Sequence, residues 1–507
     1  MKTQATILQI HPKDNVAVAL QDISQGQQVG EVTARDSVPA GHKMALRVIH
    51  KGEAVVKYGY PIGVARSEIQ PGEFVHVHNV RSALPEKLEL GGFDAARAGS
   101  ACIARQQIAS KPATFEGFRR RNGSVGIRNE IWIINTVACV NHAATRIAER
   151  AARELVREGS AVEGIYTFNH PYGCSQLGDD LAYTQLLLSG LARHPNAAAI
   201  LVLGLGCENN RMEPFLERLR DDVTDRVRYF NAQDVSDELD TGVHLVHELA
   251  EYAGQFRREQ VPASELILGM KCGGSDGLSG ITANPLVGRV ADKLAALGGT
   301  SVLSEVPEMF GAEQILLERA LNAEIYDGTI RLVNSFRDYF QRHNEPIDEN
   351  PSPGNKEGGI TTLAEKSIGC VQKAGSHAVK QVLDYGQQAS SGLGGIALLN
   401  GPGNDGVSGS ALSAAGSHMV LFTTGRGTPM GFPVPTLKIA TNSSLAERKP
   451  GWIDFSAGAL ADGTASMDTL TEELFTLVLD IASGRKRTKS EDNGYREIAI
   501  WKDGVTL

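Results

Sequence analysis

Four short apolar runs open the chain: ATILQI, NVAVAL, MALRVI and FVHVHNV, spread over residues 5–80. Turn chemistry separates them, in PKDN, VPAGH, YGYPIG and QPGE, so each run reads as a strand between tight turns. No amphipathic helical pattern of ten residues interrupts them. The pattern predicts a small all-β module over residues 1–83, followed by a linker over 84–112 with room for one helix.

The period then changes. From TFEGFRRRNGSVGIRNE onward, strand-like runs alternate with helical ones. IWIINTVACV precedes NHAATRIAERAARELVRE, and GIYTF precedes LAYTQLLLSGLARH. AAAILVLGL leads into RMEPFLERLRDD, LILGM into PLVGRVADKLAALG, and TSVLSEV into GAEQILLERALNAEI. Repeated strand–helix units predict parallel sheet covered by helices. NEPIDENPSPGNKEGG, residues 344–359, reads as a long loop, after which GIALLNGPGND, HMVLFTTGRGTP and TLKIATNSS resume the pattern. A last helical run, LTEELFTLVLDIASGRK, has a basic end, which suits a helix C-terminus. The expected fold class is therefore α/β with an N-terminal all-β module. The α/β region divides into halves at 113–343 and 344–507.

Composition narrows the function. A net charge of −9 over 507 residues argues against nucleic acid as the partner, since phosphate binding needs a basic field. No stretch approaches ~20 consecutive apolar residues, so no membrane span is expected. The start lacks the uninterrupted apolar region of a secretory signal. Six cysteines without any C-x-x-C suit a reduced, cytoplasmic protein rather than a disulfide scaffold.

Three of those cysteines share a setting. Cys174, Cys207 and Cys272 each follow an apolar run at the point where it breaks into a glycine-containing loop. In open parallel sheets, ligands bind beyond the carboxyl ends of the strands. Thiolates placed there are candidates for iron, or for three corners of an iron–sulfur cluster. Each cysteine taken alone reads more readily as a buried small residue, and the joint pattern brings the two readings level.

Other motifs carry less. GLGCEN fails the dinucleotide fingerprint at its last position, and no phosphate-loop motif occurs. The loops GPGND and TTGRGTP supply Asn404 and Arg426 as candidate substrate contacts, Arg426 as partner for a carboxylate; both loops read equally as tight glycine turns. In the β module, His11, His42, Lys43, His76 and His78 form a dense set. His42 and Lys43 lie in a turn before a strand, where a residue of lowered pKa can act as a base.

VPAGHKMALRVIHKGEAVVKYGYPIG resembles the small β-clip module called SAF, found at the start of the altronate and galactarate dehydratase family. FNHPYGCSQLGDD, GLGCENN, KCGGSDGLSGITANP, SEVPEMFGAEQ, ENPSPGNKEGGITTL and LFTTGRGTP resemble the large domain of that family, over essentially the whole chain. GCSQLGDD, GCENN and ENPSPGNK are closest to its altronate branch. The resemblance implies a hydro-lyase that removes water from a sugar acid in hexuronate breakdown. It also implies ferrous iron, as a single ion or in an iron–sulfur cluster, with manganese as a substitute, and a homo-oligomer. Lys43, His42 and His11 are then the candidate acid–base groups, brought by the β module as a lid. Cys174, Cys207 and Cys272 are the candidate metal ligands, with His170 or Glu208 nearby. Asp276, Asn284, Asn404 and Arg426 are the candidate substrate contacts.

Overall fold

The turn-separated runs at the start of the chain form short antiparallel strands. In a computed structural model that describes residues 6–85, 87–88, 92–93, 112–219 and 225–506, Val16–Ala19 pairs with Ile7–Leu8 and with Lys43–Ala45, and Lys43–Ala45 pairs with Phe74–Val75. Ala54–Lys57, Tyr60–Ala65 and Val80–Arg81 form a second small sheet. Most of the expected linker, 84–112, lies outside the described residues.

Two parallel sheets follow. The first has four strands in the order Gly164–Thr167, Glu130–Asn135, Ala197–Gly204, Val227–Asn231. Every residue of Ala197–Gly204 is buried, as expected of a strand covered on both faces. Helices Asn141–Leu155 and Glu238–Ala253 pack together against this sheet, and Gly178–Arg193 also packs on it. The second sheet has seven strands, in the order Val379–Leu383, Gly395–Leu399, Thr300–Leu303, Ile267–Cys272, Met419–Thr424, Thr436–Ala440, Phe455–Ser456. Residues 344–359 connect strands of this one sheet, which draws on chain both before and after them.

Three features join these parts. Thr114–Arg119 pairs antiparallel with Arg258–Pro262, so the chain entering the first sheet lies beside the chain entering the second. Helix Asp405–Ala414 of the second sheet packs on Gly178–Arg193 of the first, with Gly190 against the carbonyl of Ala414. A continuous core then runs from Val16, Ile49 and Ile62 of the β module through Trp132 and Val202 to Leu268 and Leu421. Burying that shared apolar surface is the main force holding module and sheets as one body. No helix among the described residues is long and apolar enough to cross a membrane.

Candidate active site

In the seven-stranded sheet, the chain runs outward in one direction from Ile267–Cys272 and later in the other direction from Met419–Thr424. Those two strands are neighbours, so a crevice opens beyond their carboxyl ends. The β module covers it. Gly41 of the module, Asp276 and Leu278 of the loop after Cys272, Gly358, and Gly425 and Arg426 line a cleft of about 560 Å³, together with Asn442, Ser443 and Arg448. That volume suits a small ligand. Backbone meets backbone at the seam: a Cβ at Gly277 or Gly359 would overlap the carbonyl oxygen of Gly41, so only glycine lets these chains approach.

Beneath the seam lies a network of buried charges. Lys43 Nζ donates to the carbonyl of Gly359 at 2.7 Å and pairs with Glu365 Oε2 at 2.9 Å. Lys57 Nζ pairs with Glu365 Oε1 at 2.8 Å. Burial lowers the pKa of Lys43 to about 8, against the pull of Glu365. Burial works to raise the Glu365 carboxyl, but Lys43 and Lys57 beside it hold it down at about 2. The His42 ring stands 5.3 Å from that of His76, and burial lowers the pKa of both, that of His76 to about 4. Both imidazoles are thus neutral near pH 7.

Deeper still, Cys272 at the end of its strand faces Cys370 of helix Leu363–Val371, with sulfur atoms 3.3 Å apart. Cys370 Sγ is 3.0 Å from Glu308 Oε2. Cys272, Glu308 and Cys370 bring three donor atoms within 4.8 Å of one another, all buried, and could hold a metal ion. Three ammonium groups surround them. Lys373 Nζ lies 2.8 Å from both Cys272 Sγ and Glu305 Oε2. Lys366 pairs with Glu308 at 2.9 Å. Lys271 binds Glu305 and, at 2.7 Å, Asp405. Burial works to raise the Glu308 carboxyl, and these lysines hold it at about 2. Three lysines against Glu305, Glu308 and Asp405 leave the cluster neutral, so a divalent ion with two thiolates would keep it neutral.

The residues anticipated from sequence fall in several places. Lys43 and His42 sit under the seam. His11 is half-buried on a neighbouring turn of the module, its ring against Gly59. Asp276 is at the cleft, its carboxylate accepting from Ser279 Oγ at 2.9 Å, Thr441 Oγ1 at 2.8 Å and Asn442 Nδ2 at 3.1 Å, and burial raises its pKa. Arg426 lies at the cleft half exposed, 3.5 Å from Glu357. Asn284 is buried and satisfied, donating to the carbonyl of Gly369 at 3.0 Å and accepting from Thr423 Oγ1 at 2.6 Å. Asn404 is exposed and caps helix Asp405–Ala414, accepting from the Val407 N–H at 3.1 Å. Cys272 belongs to the buried cluster, whereas Cys174 and Cys207 are exposed beside the four-stranded sheet, so the three thiols expected on one rim divide between two sheets.

Sequence reasoning did not find Glu305, Glu308, Glu365, Lys366, Cys370 or Lys373. One signal was available: Lys366, Cys370 and Lys373 recur at i, i+4 and i+7, on one helical face, in a stretch whose other positions are mostly apolar or small.

Comparison with known proteins agrees with this architecture. Residues 5–83 match the altronate/galactarate dehydratase SAF domain. Residues 117–254 match the second domain of D-galactarate dehydratase/altronate hydrolase, and residues 263–506 the C-terminal domain of D-galactarate/altronate dehydratase. The chain is 49% identical to an altronate dehydratase of Escherichia coli (strain K12), over 99% of both proteins. It is 46% identical to an altronate dehydratase of Bacillus subtilis (strain 168), over 99% of this chain and 100% of the other. With the galactarate dehydratase (L-threo-forming) of E. coli it shares 33% identity, over 98% and 97%. Matched in all three of its parts and over nearly its full length, the chain belongs to the altronate/galactarate dehydratase family.

Proposed function

We propose that this protein is a hydro-lyase that removes water from D-altronate to give 2-dehydro-3-deoxy-D-gluconate. The observation that carries this reading is the 46–49% identity to two altronate dehydratases, against 33% to a galactarate dehydratase, each over nearly the full length. The reaction takes the proton from C2 and hydroxide from C3, and the resulting enol becomes the 2-keto acid. Arg426 and Arg448, at the cleft, supply the charge that a sugar-acid carboxylate needs. Lys43 is fully buried and donates to the carbonyl of Gly359, next in the chain to the cleft-lining Gly358. With a pKa lowered to about 8, it suits removal of a proton next to a carboxylate. His42, next in the chain and neutral, is our candidate for relaying that proton. Cys272, Glu308 and Cys370 fit a thiophilic divalent ion, and ferrous iron there would act as a Lewis acid toward charge building on the substrate. A homo-oligomer suits a metabolic enzyme of this size.

A panel of aldonates and aldarates, assayed with ferrous iron and a reductant for release of 2-keto acid, tests this function. D-Altronate is expected to give the highest kcat/KM. Faster turnover of galactarate, or binding of altronate with no keto acid formed, would overturn the assignment.

A further inference from the structure

Two buried ammonium groups share one carboxylate under the seam. Lys43 holds Glu365 Oε2 at 2.9 Å and Lys57 holds Oε1 at 2.8 Å, and all three side chains are buried. With both lysines charged, the trio carries one uncompensated positive charge out of water, a costly arrangement. His42 and His76 nearby are neutral near pH 7 and add no counter-charge. One lysine therefore gives up its proton more readily than a free lysine would. Toward Glu365 the two are nearly equivalent, so another group decides which one it is.

Tyr58 breaks the symmetry. Lys57 Nζ stands over its ring, 4.7 Å from the centroid, within reach of a cation–π attraction that strengthens where water is excluded. Lys43 Nζ instead donates to the carbonyl of Gly359 at 2.7 Å, a bond that an uncharged amine also makes. Burial works to lower the pKa of both lysines. Glu365 and Tyr58 raise that of Lys57 above the ordinary lysine value, whereas that of Lys43 ends at about 8.

The placement of Tyr58 goes against local preference. It is the first residue of the two-residue turn between the paired Lys57 and Tyr60, at φ +62°, with Gly59 at φ +80°. Such a turn favours asparagine followed by glycine, and a bulky aromatic residue at positive φ is uncommon. The Gly59 N–H donates to Asp14 Oδ1 at 2.7 Å, which anchors the turn. The phenol reaches from the module into the large region, where a Cβ at Gly280 would lie 2.3 Å from its hydroxyl and one at Gly369 3.9 Å from it. A backbone outlier of this kind points to function.

We propose that Tyr58 is a positioning residue that holds the proton on Lys57 and so leaves Lys43 as the uncharged amine of the pair. Its bearing on the reaction rests on the reading of Lys43 as the base; the assignment of the proton does not. The titratable groups facing the two lysines are Glu365, Tyr58, His42 and His76. Asp276, Lys366 and Cys370 line the small cavity, about 10 Å³, that Lys57 and Tyr58 also line.

The test is a site-resolved titration by nuclear magnetic resonance of the full-length protein labelled with carbon-13 at lysine Cε, because two coupled lysines share their titration steps. The two resonances are identified by their loss in Lys43→Met and Lys57→Met. In the parent protein Lys43 should lose its proton first, at about pH 8, with Lys57 still charged. Tyr58→Leu should raise the Lys43 midpoint by about one pH unit and cut kcat/KM at neutral pH about tenfold, with recovery as pH rises. Tyr58→Phe keeps the ring and should keep the parent midpoint. Tyr58→Asn suits the turn, so it should unfold at no lower temperature than the parent and still shift Lys43 as the leucine variant does. Lys57 titrating before Lys43, an unmoved Lys43 midpoint in the leucine and asparagine variants, or a phenylalanine variant shifted as far as the leucine one would overturn the proposal. Near-normal kcat in Lys43→Met would instead remove the base from the reaction and leave the proton assignment standing.

Discussion

Two parallel sheets in this chain end in comparable crevices at reversals of strand order, and the β module covers one of them. Under the cover, Lys43, Lys57, Lys271, Lys366 and Lys373 meet Glu305, Glu308 and Glu365 out of contact with water. There, weakened screening makes each pairing strong and pushes pKa values far from their ordinary range. At the open rim the buried groups turn toward their own backbone, and three thiols face outward. Similar topology thus ends in two different settings, and whether the rim is covered separates them. A covered rim can hold charged groups with shifted pKa values, whereas an open rim leaves its thiols exposed.

The largest expected effect probes the covered side. Lys43→Met should lower kcat by two to four orders of magnitude, the usual contribution of a positioned base. Glu365 keeps its pairing with Lys57, so the fold should survive. In the parent protein kcat/KM should rise with pH through about 8, as Lys43 loses its proton, and the variant should lack that limb. A variant with near-normal kcat would remove Lys43 from the reaction.

Next comes stability. Glu305→Gln leaves Lys373 and Lys271 short of a counter-charge and should cost about 3–5 kcal/mol, read from denaturant unfolding. Arg150→Ala breaks the exposed pair with Asp240 beside the open-rim sheet and should cost less than about 1 kcal/mol. Acid should find the same asymmetry. Glu308 and Glu365 titrate near 2 in the folded chain and near the ordinary carboxylate value when unfolded. The stability they contribute is therefore complete above that ordinary value and is lost as pH falls from it toward 2. Equal costs for the two variants would erase the contrast between the sheets.

The smallest effect is at the mouth of the cleft. Arg426→Ala should raise KM about 10- to 100-fold, through loss of a charge-assisted hydrogen bond of ~1.5–3 kcal/mol, with little change in kcat. A fall in kcat with unchanged KM would place the substrate carboxylate elsewhere.

Much of this architecture is written in local pattern. Period-two runs between glycine and proline turns mark the module, and strand–helix alternation marks both sheets. Lys43 and Cys272 are visible because each sits at the edge of an apolar run. The partners that make them chemically interesting are less legible. Glu365, Lys366 and Lys373 lie within or just beyond a helix in which every residue is buried, and a charged residue on a helix ordinarily signals solvent. Cys139 is obscured differently. The apolar run IWIINTVACV continues through it without glycine punctuation, so it reads as strand interior although it is exposed. How cysteines are shared between rims is a tertiary fact. The order of strands within each sheet decides it, and spacing along the chain carries no record of that order.

The side-chain-free joint at Gly41, Gly277 and Gly359 bears on how substrate taste could drift. Because the glycine seam, the buried pairs of Lys43 and Lys57 with Glu365 and the shared apolar core seat the module, cleft-lining residues such as Arg426, Arg448 and Ser443 can vary without shifting it. An engineer seeking a new hydroxy acid should therefore redraw those walls and leave the seam glycines untouched.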